Sequence, residues 1–223
     1  ITDLKNAFLP AAGVAGLAML IKGVVNVQKE FEVRMAKVRA ISGAGAKGFK
    51  LLSDSAKELG GSTQFTASQV AELQLELSKL GFTTEEILQS TEAILNLSLA
   101  TGEDLAQAAV VAAGTIRGFG LTAQDTTKVT DVMAASFTQS GLDLNKFSTA
   151  MATVAPVARN AGASLEETTA ILAKVVDENI DASTAGTALR NIFLELAKKG
   201  LTFNEAMTQI GVSTNKNKTA LDL

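Results

Sequence analysis

Three pairs of adjacent carboxylates, Glu85-Glu86, Glu103-Asp104 and Glu166-Glu167, are the residues of this 223-residue chain whose types and spacing best suit chemistry. Paired carboxylates do general acid–base work when their surroundings push the two pKa values apart. Each pair, however, opens an apolar run of helical period just after a glycine. At such a place acids complement the positive end of a helix macrodipole. All three pairs therefore read as helix starts. The chain has no His, Cys, Trp or Tyr, so beyond the carboxylates only a Ser–Lys pair stays open, and no pocket for either is announced. A zinc site of the usual kind, a thiol or imidazole nucleophile–base pair and a Ser–His–Asp triad are all excluded. No catalytic, cofactor-binding or metal-ligating residue is assigned, and the chain reads as a non-enzyme.

The charge balance narrows the partners. Twenty basic and 23 acidic side chains give a net charge of −3, and the only aromatic type is Phe. Both argue against a basic, base-stacking nucleic-acid surface, so DNA is at most an indirect partner. Residues 1–60 carry nine Lys/Arg and five Asp/Glu, a net +4, while residues 61–223 carry eleven and eighteen, a net −7. A mean hydropathy of +0.23 with 47 % hydrophobic residues owes much to Ala, which favours helix.

The elements that position these residues are announced by a repeated turn. Gly81-Phe82-Thr83 is followed by Glu86, Gly102-Glu103-Asp104 by Gln107, and Gly120-Leu121-Thr122 by Asp125. Gly141-Leu142-Asp143, Gly162-Ala163-Ser164 with Glu167, and Gly200-Leu201-Thr202 with Glu205 continue the series. Gln64-Phe65-Thr66 with Gln69 and Asn179-Ile180-Asp181 are weaker copies. Glycine in the left-handed conformation closes one helix, and the Thr, Ser or Asp two residues on caps the next. An acid or Gln three further on completes a capping box. Between the turns run apolar stripes: Val70, Leu73, Leu77 and Leu80; Ile87, Ile94 and Leu97; Leu105, Ala108, Ala112 and Ile116; Val129, Val132, Met133 and Phe137. Leu144, Phe147, Met151, Val154 and Ala158, then Leu165, Leu172 and Val176, then Leu189, Ile192, Phe193 and Leu196 follow. The expectation is an all-α fold with a compact domain of six to eight short antiparallel helices over residues 49–212, as a closed bundle or a short solenoid.

The N-terminal part differs. Residues 7–21 read AFLPAAGVAGLAMLI without a charge, too short to span a bilayer as a helix. Phe8, Leu9, Val14, Leu17, Met19, Leu20 and Ile21 are its membrane-active candidates; the other reading is an apolar helix buried against copies of itself or a partner. From residue 24 the pattern is amphipathic. Val24, Val27, Phe31, Arg34, Val38 and Ile41 follow a 3.5-residue step, the seam of a coiled coil. Arg34 in that seam fits a register role, facing Glu30 or Glu32 of another chain. Residues 1–42 are thus expected to serve oligomerisation or membrane action. Residues 43–48 contain Gly43, Gly45 and Gly48, a literal G-x-G-x-x-G, but no strand pattern precedes it and it reads as a linker. Residues 213–223 read as the start of a further segment of a longer chain.

Several strings in order carry a family resemblance: Phe31-Glu32-x-x-Met35-Ala36-Lys37-Val38-Arg39-Ala40-Ile41-Ser42-Gly43, and Lys57-Glu58-Leu59-Gly60-x-Ser62-Thr63-Gln64-Phe65-Thr66-Ala67-Ser68-Gln69-Val70-Ala71. Gly118-Phe119-Gly120-Leu121, Val154-Ala155-Pro156-Val157-Ala158 and Ala185-Gly186-Thr187-Ala188-Leu189-Arg190 follow. Over roughly residues 28–210 the chain resembles the conserved core of tail tape-measure proteins of tailed bacteriophages. The resemblance implies a virion structural protein that sets tail length, plugs the tail tip and is ejected to assist DNA through the host envelope. It implies self-association, as a homotrimer or alternatively a hexamer, and partners among tail-tip or baseplate hub and tail-tube proteins, with the host membrane after ejection. It places the chain in the tail lumen near the tip. Murein-degrading domains occur in some members, but none of the matching strings belongs to one. The rival reading is a helical adaptor or membrane-active, toxin-like protein unrelated to virions.

Overall fold

A computed structural model describes residues 26–211, and the membrane-active candidates at 8–21, Val24 and residues 212–223 lie outside it. Among the described residues the fold is all-α, without a strand. The helices are α1 (26–42), α2 (Ala46–Ser62), α3 (Ala67–Lys79), α4 (Thr84–Thr101), α5 (Leu105–Phe119), α6 (Thr126–Gln139), α7 (Leu144–Asn160), α8 (Leu165–Asp177), α9 (Ala182–Lys198) and α10 (Phe203–Gln209). A single 3-10 turn, Ala123–Asp125, precedes α6. The chain divides into two compact units, residues 1–75 and 76–223, and the division falls inside α3. Of the glycine-rich stretch 43–48 only residues 43–45 are non-helical, because Gly45 already serves as the N-cap position of α2.

In the first unit the core gathers Phe31, Met35 and Val38 of α1, Leu52 and Ala56 of α2, and Val70, Ala71 and Leu73 of α3. Gln74 donates from Nε2 to the Leu52 carbonyl at 3.1 Å, a buried bond that fixes α3 against α2. The Thr66–Gln69 box opens α3 as expected: the Gln69 side chain accepts from the Thr66 N–H at 2.8 Å.

In the second unit the helices alternate between two layers. Extensive contacts join α4 to α6 and α6 to α8 in one layer, and α5 to α7 and α7 to α9 in the other. Every substantial contact runs between helices one or two steps apart in sequence, so the unit is a short solenoid of helix pairs and not a closed bundle. The caps alternate with the layers. The even helices begin at Thr83, Ser164 and Thr202, and the 3-10 turn that leads into α6 begins at Thr122; Glu86, Glu167, Glu205 and Asp125 accept from the N–H groups of these residues. The odd helices begin at Asp104, Asp143 and Asp181, whose carboxylates accept from N–H groups of the first turn. Ahead of each Thr/Ser box the chain makes one and the same exit: Phe82, Leu121, Ala163 and Leu201 donate their N–H groups to the carbonyls five residues back, at 2.8–3.1 Å. That bond closes a Schellman turn, which requires the left-handed residue found at Gly81, Gly120, Gly162 and Gly200.

Two expectations are corrected. Gly141 does not take the left-handed conformation: α6 ends in extended backbone at Ser140, and the Gly141 N–H donates to Asp177 Oδ1 at 2.7 Å. The weaker mark at Asn179 is the left-handed one instead, at φ 62°. Ile192, expected in the core stripe of α9, is 53 % exposed.

The odd layer is held by close approach of small residues, and Phe147 and Phe193 fill what remains. A Cβ on Gly186 of α9 would lie 2.8 Å from Ala150 Cα and 2.9 Å from its carbonyl oxygen on α7. Backbone atoms cannot give way as a side chain can, so Gly186→Ala is expected to cost about 1–3 kcal/mol. Gly114, mid-helix in α5, has nothing within 4 Å of its Cβ position. Gly114→Ala is expected to stabilise by about 0.5–1 kcal/mol, since Ala loses less backbone freedom in a helix. Urea midpoints of the two variants against the parent check both signs.

Candidate interaction surfaces

The α1 stripe divides into a buried middle and exposed ends. Phe31 and Val38 are buried within their own chain, as is Met35 beside them, while Val27 is 60 % and Ile41 47 % exposed. Arg34 is half-buried, and its carboxylates come from the same chain. Nη2 donates to Glu30 Oε1 at 2.8 Å one turn back, and Nη1 pairs with Glu72 on α3. The hydrogen bond from Glu30 raises the guanidinium pKa above its ordinary value, burial opposes it, and the charge of Glu72 adds to the rise. The charge therefore ties α1 to α3 inside the first unit. Among the described residues, no helix is long and apolar enough to cross a membrane.

A groove of about 430 Å³ runs between α1 and α2, floored by Phe31, Met35 and Phe49. Two cations lie over its rings: the Arg39 guanidinium 5.3 Å from the Phe49 centroid and Lys57 Nζ 5.5 Å from that of Phe31. Such contacts hold a cation against an apolar floor while its charged head stays wet. The seam reading missed this groove. The signal was there, with Phe49, Ser53 and Lys57 on one helical stripe of α2.

The second unit presents a different surface. Between α4 and α6 lies a polar groove of about 380 Å³ lined by Gln89, Glu92, Asn96, Thr127, Thr130 and Asp131. Beneath it the buried hydroxyls of Ser90 and Thr126 share a hydrogen bond of 2.9 Å. Lys128 of α6 bridges to Glu166 of α8 at 2.7 Å. Burial is the largest influence on Glu166 and opposes its ionisation, but the Lys128 hydrogen bond and a backbone N–H outweigh it and hold the carboxyl below its ordinary range. Three other members of the carboxylate pairs are engaged in caps: Glu86 with Thr83, Glu167 with Ser164, and Asp104 with the N–H of Gln107. Glu103 accepts from the Leu144 N–H at 3.3 Å. Among the described residues no cluster of three or more metal-binding side chains occurs.

Two arginines finish helices other than their own. Arg117 of α5 lies over the Phe82 ring at 5.3 Å, beside Gly81. Arg159 of α7 lies so close to Gly120 that a Cβ there would meet its Nη1 at 2.7 Å. Each places a cation at the negative end of the preceding odd helix. Arg190 is exposed on α9.

A family model for phage-related minor tail proteins matches residues 53–223. The chain belongs to that family. The tape measure protein of Pneumococcus phage Dp-1 is 34 % identical over 205 residues, which cover 92 % of this chain and 17 % of that protein. The probable tape measure protein of Escherichia phage P2 is 29 % identical over 213 residues, 94 % of this chain and 26 % of the relative. No solved structure matches significantly. The chain spans a minor part of the relatives it matches, and it is a phage tail structural protein. An adaptor or toxin unrelated to virions is set aside.

Strings that carry the family resemblance now have a place in this fold. Gly118 packs on Ala155, and Gly186 packs on Ala150 and Thr153, so three of the strings are the close contacts of the odd layer.

Two outcomes are expected. A double-mutant cycle of Arg34→Ala and Glu72→Ala should give a coupling of about 0.5–1 kcal/mol for this partly exposed pair, reduced in 1 M salt. Asp125 and Glu205 are both held below the ordinary carboxylate range, first by the N–H of the cap residue each serves and then by its hydroxyl. A carboxyl whose folded pKa is depressed stabilises the fold above its unfolded pKa and loses that contribution as pH falls through the folded value. Thermal stability is therefore expected to fall as pH drops below about 5, and Asp125→Asn with Glu205→Gln should flatten that slope in melts recorded from pH 7 to 3.

Proposed function

We propose that this chain is an ordered segment of a tail tape measure that helps set tail length, lies in the tail lumen near the tip, plugs it, and leaves with the genome to assist passage through the host envelope. The observation that carries the reading is the 34 % identity to a tape measure protein across 92 % of the chain. Its function in this reading is structural and not enzymatic: five of the six paired carboxylates hold the fold, Glu86, Asp104 and Glu167 as caps, Glu166 in a bridge between helices and Glu103 at the start of α7.

The segment acts in more than one copy, as a homotrimer or alternatively a hexamer, and meets tail-tip or baseplate hub and tail-tube proteins. Val27, Val33 and Ile41 support this, being apolar and exposed on α1. Residues 1–42 supply the oligomer contact or, through the uncharged run 7–21, a contact with the host membrane after ejection. The net +4 of residues 1–60 adds attraction to anionic lipid. Residues 43–45 act as the linker between α1 and α2, and residues 213–223 open a further segment.

Gold-labelled antibody raised against residues 76–211 tests the placement on detergent-opened tails, before and after DNA release. The expected result is label at one tail end that disappears on release. Label spread along the tail, or label kept after release, would overturn the tip and ejection parts of the reading.

A further inference from the structure

Aligned on their Asp caps, the odd-layer helices present one face in two circumstances. Seven residues past the cap stand Val111 in α5, Ala150 in α7 and Ala188 in α9; eleven past it stand Thr115, Val154 and Ile192. In α5 and α7 these positions are buried, whereas Ala188 is exposed and Ile192 is 53 % exposed. Fifteen past the cap, Phe119 and Ala158 are buried and Leu196 is only half-buried. The positions between them behave alike in all three helices: Ala112, Met151 and Leu189 are buried, as are Ile116, Ala155 and Phe193. What closes the face in α7 is visible at Ala150, against which the α9 backbone lies at Gly186. The face left open on α9 is therefore the one that receives the next helix of the layer.

The sequence repeats the odd-layer cap pattern at the corresponding place. Odd-layer caps stand at Asp104, Asp143 and Asp181, steps of 39 and 38 residues, and Asp222 follows 41 residues later. The triplet Leu221-Asp222-Leu223 repeats Leu142-Asp143-Leu144, which opens α7. Even-layer caps keep the same period, at Thr83, Thr122, Ser164 and Thr202, and the Thr202–Glu205 box already opens α10. The family match extends through residue 223. End repeats of a solenoid need a polar outer face, and α9 has Ala188, Ile192 and Leu196 there.

We propose that Asp222 caps a further odd-layer helix of the same polypeptide, and that this helix docks on the Ala188–Ile192–Leu196 face of α9, completing a fourth helix pair with α10. The occupant is the chain's own continuation and not a second copy, because the cap spacing delivers a helix to that place at the existing period.

A chain without Cys makes the test direct. Ile192→Cys is introduced into the 223-residue chain and into its natural continuation carried at least one helix past Asp222, and maleimide labelling rates are compared. Asn191→Cys serves as the control, since the position ten past each cap, Gly114, Thr153 and Asn191, is exposed in all three helices. Labelling at 192 is expected to be about tenfold or more slower in the longer polypeptide, independent of protein concentration, with labelling at 191 unchanged. Equal rates at 192 in both chains would overturn the proposal. So would protection that rises with concentration, which would make the occupant a second copy, and so would a reading frame that stops at residue 223.

Discussion

Where α5 meets α7, a Cβ on Gly118 would lie 2.9 Å from that of Ala155, and where α7 meets α9 one on Gly186 would strike the backbone of Ala150. Helices that approach so closely have no room for a side chain at the crossing, and dispersion between the two backbones replaces the burial a larger residue would give. The remainder of the second unit follows from this spacing. Phe147 and Phe193 fill the space on either side of the crossings, and Phe193 meets Phe203 edge-on at 5.8 Å between ring centres. The even layer carries polar ties of its own: Ser90 to Thr126, Lys128 to Glu166 and the Gly141 N–H to Asp177.

Much of this was legible in the sequence because capping is local. A hydroxyl or carboxylate must lie within three residues of the N–H group it satisfies, so Thr83–Glu86, Ser164–Glu167 and Thr202–Glu205 could be read without a partner helix. The alternation of hydroxyl boxes and Asp caps was also written there, but it acquires meaning only once the contacts show that successive helices belong to different layers. Gly141 misled for the opposite reason. Its conformation is decided by Asp177, 36 residues away, and no local rule reports that bond. Ile192 has the period of a core residue and lacks only the neighbour that would bury it.

The α1 helix shows the limit of stripe reading in another way. A 3.5-residue apolar step says that a face is to be covered, without saying by what. Phe31 and Val38 are covered by their own chain, and Arg34 finds Glu30 and Glu72 there, while Val27 and Ile41 remain open. Among the described residues of that stripe, Phe31, Arg34 and Val38 serve the fold, and Val27 and Ile41 stay exposed. Family strings behaved better: Gly118, Ala155 and Gly186 are alike in being small, and close packing accounts for that more directly than any ligand would.

Contacts confined to helices one or two steps apart have a mechanical consequence. A closed core resists force as a whole, because its first and last elements share buried surface. Here tension applied to one end peels a single helix pair at a time, at a cost set by one interface and not by the sum. The reverse path is equally short. Each pair that re-forms needs only its immediate neighbour as a template, so the entropy of closing long loops never enters and the low contact order favours rapid recovery.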